Sequence, residues 1–230
     1  DPDGGGSDEI DSDALDSVID TLEEEGVESV AVSFLFSFLE PRHEELVRSR
    51  LAARCPDIDV VLSSESLREF REFPRTSTTV FSAYVAPVLR AYLERLLAGL
   101  RDHAVHCPLY VFQSNGGIAR PDVVMRNPAL TLLSGPAGAV IGAAALCGDA
   151  GYSDIITMDM GGTSLDVCVI REGVAQVTTG REIDFFPVSL PTIDVQSVGA
   201  GGVFRATAGL RELSLIHISE PTRRTPISYA

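Results

Sequence analysis

The segment that most constrains this chain runs Ile155-Ile156-Thr157-Met158-Asp159-Met160-Gly161-Gly162-Thr163-Ser164-Leu165-Asp166-Val167-Cys168-Val169-Ile170. Two apolar runs joined through a pair of glycines predict a buried strand, a tight turn and a returning strand. Gly161 and Gly162 lack a Cβ, so the turn can take φ > 0 and bring its amides close to an anion, while Thr163 and Ser164 add hydroxyl donors. Asp159 and Asp166 flank the turn, and carboxylates beside a polyphosphate are suited to holding Mg²⁺ or orienting an attacking water. A hairpin whose glycines only make the bend is the competing reading.

Context favours the phosphate cradle. An acid ending an apolar strand, two glycines, two hydroxyl residues and a second acid entering the next strand resemble the phosphate-binding hairpin of the actin, sugar-kinase and Hsp70 ATPase superfamily. A Walker A loop is absent, and the chain contains no Lys.

At 230 residues and 45% apolar content, the chain is long enough for one good-sized domain or two small ones. No apolar run has the length to span a bilayer, and the first residues are acidic where a secretory signal would be basic. A cytoplasmic protein with no membrane association is therefore expected. The net charge of −15 is uneven, because 11 of the 33 acids fall within residues 1–25, where no base occurs. Nucleic acid is not an expected partner of such a surface, and an acidic run of this kind reads as a solvated face. Cys55, Cys107, Cys147 and Cys168 have no C-x-x-C spacing and lie on apolar stretches, which predicts buried thiols rather than disulfides or metal ligands.

Residues 1–12 read as a flexible acidic segment containing Gly4-Gly5-Gly6. Leu15, Val18, Ile19 and Leu22 give residues 13–25 one apolar helical stripe, which Gly26 ends. Residues 27–38 read as a central strand, Pro41 opens a helix through Arg54, and residues 58–62 form the next strand. This alternation predicts an α/β unit with a parallel sheet. A long amphipathic helix is expected over about 83–103. Arg75, within Phe73-Pro74-Arg75-Thr76-Ser77-Thr78-Thr79 before it, reads as an anion contact or as part of a capped helix entrance. Residues 108–113 predict a short strand leading into Gln113-Ser114-Asn115-Gly116-Gly117. That turn is either a ligand loop at a sheet edge or an ordinary Asn-Gly turn. Ser134-Gly135-Pro136-Ala137-Gly138 opens an Ala-rich helix, and Gly199-Ala200-Gly201-Gly202 makes a second glycine-rich bend after residues 195–198.

Taken in order, Ser63-Ser64-Glu65 with Arg75-Thr76-Ser77-Thr78-Thr79, then Gln113 to Gly117, Ser134 to Gly138, Asp159 to Asp166 and Gly199 to Gly202 resemble the hydantoinase A/5-oxoprolinase family. Phe36-Ser37, Pro41 and His43-Glu44 also match its pattern, so the resemblance covers roughly residues 13–202. It implies an incomplete α/β chain of the actin-like ATPase (ribonuclease H-like) fold. The implied activity is ATP-dependent hydrolysis of a cyclic amide such as a hydantoin or 5-oxoproline, with ATP-dependent acetone carboxylase subunits as relatives. It also implies ATP and Mg²⁺ as cofactors and a hydantoinase B-type subunit or domain as partner. Gly161, Gly162, Thr163, Ser164, Ser134, Gly135, Gly199, Gly201 and Gly202 would then contact nucleotide, and Asp159 and Asp166 would serve Mg²⁺ or water. Arg75, Asn115, Gly116 and Gly117 would face substrate. An ATP-binding module without amide chemistry, or an inactive truncated product, is the alternative from another class.

The resemblance divides the chain into the end of the family's N-terminal domain at residues 13–62 and the start of its main domain at residues 63–202. Residues 203–230 depart from the family pattern. From Leu213, the run Leu-Ser-Leu-Ile-His-Ile-Ser-Glu-Pro-Thr-Arg resembles the conceptual translation of an adapter used for sequencing libraries. Residues 213–230, including His217, are therefore expected to carry no function.

Overall fold

The structure, a computed structural model, describes residues 9–183 and 185–199. Gly201, Gly202 and the tail from 203 onward, with His217, lie outside the described residues. In chain order the helices are α1 (Ser12–Glu24), α2 (Arg42–Arg54), α3 (Ser63–Ser66), α4 (Glu72–Asp102), α5 (Pro121–Arg126) and α6 (Ser134–Asp149). The strands are β1 (Ser29–Val32), β2 (Asp59–Leu62), β3 (Val111–Phe112), β4 (Ile118–Ala119), β5 (Ile155–Met160) and β6 (Leu165–Arg171). Six shorter strands follow: β7 (Val174–Ala175), β8 (Val177–Thr178), β9 (Arg181–Ile183), β10 (Phe186–Val188), β11 (Thr192–Ile193) and β12 (Gln196–Val198). The described residues form two compact units, one of residues 9–132 with the described part of 178–191, the other of residues 133–177 with 192–199.

In the first unit, Asp11 caps α1 by accepting from the amides of Asp13 and Ala14 at 3.0 and 3.2 Å. Gly26, at φ +64°, supplies the left-handed residue beyond the helix end. The parallel pair β1 and β2 carries α1 and α2, closing a core of Ile19, Val32, Val47, Leu51, Cys55 and Leu62. Each fully buried aliphatic there is worth about 2 kcal/mol.

The strand expected over residues 27–38 ends at Val32. Beyond it, the Phe34 amide donates to Glu44 Oε1 at 3.0 Å and Phe36 turns left-handed at φ +58°. A buried carboxylate thus outcompetes the sheet for this backbone. Helix α4 begins at Glu72, well before the expected residue 83. Within its hydroxyl-rich start, Thr78 and Thr79 are buried and donate back to the carbonyls of Pro74 and Arg75, at 2.8 and 2.7 Å, so their hydroxyls are satisfied inside the helix. Ala83 and Ala86, on either side of the turn that leads to Pro87, pack α4 closely on Val61 and Ala31.

In the second unit, α6 covers one face of an antiparallel sheet ordered β12-β6-β5, with β7 beside β6. Glu172 and Gly173, both at positive φ (52° and 78°), make the two-residue turn from β6 to β7. The core holds Ala137, Val140, Cys168, Ile170, Ile193 and Val195. The β5 strand is half-exposed rather than buried: Ile156 and Met158 on its other face are each 66% exposed. All four cysteines are free thiols, and Cys55 and Cys168 are buried as expected; Cys107 is exposed and Cys147 half-buried, against the expectation. Among the described residues no helix is long and apolar enough to cross a membrane.

Candidate functional site

Strands alternate their side chains, so Ile155, Thr157 and Asp159 share one face of β5. The β5–β6 register sets Asp159 opposite Asp166, Thr157 opposite Cys168 and Ile155 opposite Ile170. The last two pairs fix that face as the one packed on α6, because Cys168 and Ile170 lie in the core beside Ala137 and Val140. The two carboxylates therefore end the apolar face at the glycine turn. On the far side of β6, β12 sets Ser197 opposite Asp166, and the Ser197 hydroxyl donates to Asp166 Oδ1 at 2.5 Å.

A crevice of ≈ 440 Å³ opens here, lined by Pro136, Ala139, Val140 and Ala143 of α6 and by Thr157, Asp159 and Asp166 of the hairpin. The small residues of α6 leave this space open. Ser134 and Gly135 form the first turn of α6, entered through Leu133 at φ +64° with no side-chain cap. A helix start of this kind leaves amides without intrahelical acceptors and a partial positive charge.

The turn itself differs from expectation in two respects. Among the described residues the glycines at positive φ are Gly26, Gly116, Gly151 and Gly173, so neither Gly161 nor Gly162 is required by a left-handed backbone. The Gly161 amide donates to Ser164 O at 2.9 Å and closes the turn, so it is not a free phosphate donor. Gly161 is nevertheless exposed, and a Cβ there would meet only Ser164 O, at 3.8 Å. What glycine provides at this position is a bare surface on the turn that joins the two aspartate-bearing strands. Gly199 follows β12 in a bend.

Arg75 and the Asn115 turn belong to the other unit. Arg75 is 0% exposed: Nε donates to Ser63 Oγ (3.2 Å), Nη1 to Glu69 O (2.8 Å) and Nη2 to Phe34 O (2.7 Å). Its guanidinium also lies 5.4 Å from the Phe38 ring centroid. Ser63 Oγ in turn donates to Glu44 Oε1 at 2.6 Å, while Glu44 Oε2 accepts from the Ser64 amide at 2.9 Å. Here Arg75 is a buried tie among α3, α4 and the loop after β1, with every nitrogen engaged and no open face for a substrate. Glu44, likewise 0% exposed, is the residue that sequence reasoning missed as the other half of this network. Its placement on α2 after Pro41 gives no local sign of it.

The Gln113–Gly117 segment closes a two-stranded antiparallel hairpin of β3 and β4, not the carboxyl edge of a parallel sheet. Gln113 N donates to Gly117 O at 2.8 Å, and Asn115 Oδ1 accepts from the Gly117 amide at 2.8 Å, with Gly116 at φ +83°. Ser114 N is held by Leu130 O at 2.7 Å.

This arrangement defines a mixed α/β protein of the kind seen in ATP-dependent lactam and ketone enzymes. The fold matches the crystal structure of ATP-dependent caprolactamase from Pseudomonas jessenii with a TM-score of 0.76 and 34% identity, over 87% of this chain and 29% of that one. It matches nucleotide-free acetone carboxylase with a TM-score of 0.70 and 28% identity, over 83% of this chain and 27% of that one. In sequence, caprolactamase subunit alpha from Pseudomonas jessenii is 37% identical over 87% of this chain, and 5-oxoprolinase from Saccharomyces cerevisiae is 34% identical over 84%. The hydantoinase/oxoprolinase family model matches residues 75–230, and the model of the hydantoinase/oxoprolinase N-terminal region matches residues 1–55. The chain belongs to the hydantoinase/oxoprolinase family. It spans 29% of the caprolactamase subunit and 15% of the 5-oxoprolinase.

Proposed function

We propose that this chain is the phosphoryl-handling part of an ATP-dependent hydrolase of cyclic amides of the hydantoin or 5-oxoproline type, built on an actin-like ATPase fold. The observation that carries the reading is the crevice in which two opposed carboxylates, at the ends of the strands that the glycine turn joins, meet a small-residue helix within one unit.

Among the described residues no three or more His, Cys, Asp or Glu side chains group as a metal cluster. The carboxylate pair still fits Mg²⁺ that arrives with a nucleotide, because such a cation needs only one or two carboxylates beside phosphate oxygens and water. Asp159 and Asp166 would hold it, and its chemistry there would be to neutralise charge on the phosphates. Gly162, Thr163 and Ser164 would supply amide and hydroxyl donors from the turn, while Ser134 and Gly135 would offer the amides of the α6 start. Gly161 would allow the close approach. Transfer of the terminal phosphoryl group to the amide oxygen, with ADP leaving, would activate the amide carbon toward water. The ring C–N bond would then break with the nitrogen leaving as the amine, and the acyl phosphate left behind would be hydrolysed, so the residues would contribute positioning and charge stabilisation rather than a nucleophile.

The likeness to acetone carboxylase favours one second reading, a subunit of an acetone-type carboxylase. Both readings fit work with a second subunit of hydantoinase B type, since the caprolactamase relative is itself an alpha subunit. Full-length enzyme carrying these residues is to be assayed for ADP release with 5-oxoproline, hydantoins, and acetone plus bicarbonate. Stimulation by a cyclic amide supports the hydrolase, and stimulation by acetone alone supports the carboxylase. Unchanged ATP turnover in Asp159→Ala rejects the site.

A further inference from the structure

We infer that Ser197 is a positioning residue for Asp166. The inference rests on the reading of Asp159 and Asp166 as Mg²⁺ ligands, and it adds a residue that the glycine hairpin itself does not contain.

Asp166 lies on the middle strand of the β12-β6-β5 run, with Asp159 opposite it on one side and Ser197 opposite it on the other. Two carboxylates on one face repel, and each would swing toward solvent if nothing held it. The Ser197 hydroxyl holds one of them by donating to Oδ1 at 2.5 Å. That leaves Oδ2 and the second lone pair of Oδ1 for the crevice that Asp166 lines. The bond fixes the Asp166 carboxylate toward β12 and sets which of its lone pairs face Asp159 and the crevice. Carboxylate ligands are commonly oriented by such outer hydrogen bonds, whose loss weakens metal binding. The backbone ladder of β12 and β6 does not depend on the hydroxyl, so removing it leaves the strand pairing intact.

The test uses the 230-residue chain and Mn²⁺ as a spectroscopic substitute for Mg²⁺, titrated by electron paramagnetic resonance in the presence of ATP. Ser197→Ala is expected to weaken Mn²⁺ affinity about 10-fold, the low end for an outer partner, because this bond faces water. Ser197→Thr keeps the hydroxyl and is expected to restore the parent affinity, with thermal unfolding unchanged in both variants. If Asp166→Asn weakens binding and Ser197→Ala does not, the positioning role is overturned while the site stands. If Asp166→Asn leaves Mn²⁺ binding unchanged, or the parent chain binds none, the site reading itself fails and this inference with it.

Discussion

Asp159 stands directly opposite Asp166 on the neighbouring antiparallel strand. Opposed residues carry their Cβ atoms about 5 Å apart, and like charges in that relation destabilise a sheet. Among the described residues no ion pair relieves either one. Asp159→Asn is therefore expected to stabilise this chain by about 0.5 kcal/mol in urea unfolding, while abolishing ATP turnover in the full-length enzyme. A loss of stability would show that the pair is compensated within the fold.

Glu44 and Arg75 are expected to behave in the opposite way. Both are fully buried and linked through Ser63 Oγ, whose one proton goes to Glu44, so that Ser37 Oγ, 3.0 Å away, donates to Ser63. Glu44→Ala is expected to cost about 3 kcal/mol, because it strips the acceptor from the Phe34 amide, the Ser63 hydroxyl and the Ser64 amide. Arg75→Lys is expected to fall nearly as far, since one ammonium cannot reach Ser63 Oγ, Glu69 O and Phe34 O in their separate directions. Guanidinium unfolding curves of the two variants check both values.

The pH dependence follows from Asp59 and Arg90, which form an ion pair between β2 and α4. Burial pushes the Asp59 carboxyl above the usual aspartate range, with the Arg90 charge pulling the other way. A raised carboxyl binds its proton more tightly in the folded state, so the ionised form costs stability near neutrality and the cost is relieved as pH falls toward the folded value. Removing Arg90 raises that value further. Arg90→Met should thus destabilise by about 2 kcal/mol at pH 7, below the full cost of breaking a buried pair because Arg90 is half-exposed. The deficit should shrink at acid pH. Thermal melts of both proteins from pH 7 to 4 would falsify this if the gap stayed constant.

Two glycines separate a fold requirement from an access requirement. At Gly117 an added Cβ would sit 3.0 Å from Asn115 Oδ1, displacing the acceptor of the Gly117 amide. Gly117→Ala is expected to cost about 1 kcal/mol, the worth of that hydrogen bond. At Gly161 nothing closer than 3.8 Å meets the new atom, so Gly161→Ala should leave the melting temperature nearly unchanged yet weaken ATP binding by calorimetry. Gly162→Val, which adds more bulk to the same turn, should remove ATP turnover in the full-length enzyme.

What the sequence made legible is what depends on local pattern. Helices α1 and α2 and strand β2 follow from apolar spacing, Gly26 and Pro41, and the β5–β6 pairing follows from two apolar runs around four turn residues. Even the opposition of Asp159 and Asp166 was readable, since each lies the same distance from the centre of that turn. Long-range competition was not readable. The strand after Val32 is cut short by Glu44 taking the Phe34 amide, a partner on another element. The hydroxyls before residue 83 looked like an anion contact or a capped helix entrance, because the burial that places them inside α4 depends on tertiary packing. Ser197 escaped notice because β12 pairs with β6 from thirty-one residues away, with no spacing to announce it.

The cysteines offer a practical consequence. Cys55 and Cys168 are shielded, burial also pushes the Cys168 thiol up, and Cys147 is half-covered, whereas Cys107 stands in water on the link from α4 to β3. A maleimide fluorophore added near neutral pH therefore labels residue 107 first. That gives a single reporter position remote in sequence from the glycine hairpin, obtained without any engineering of the chain.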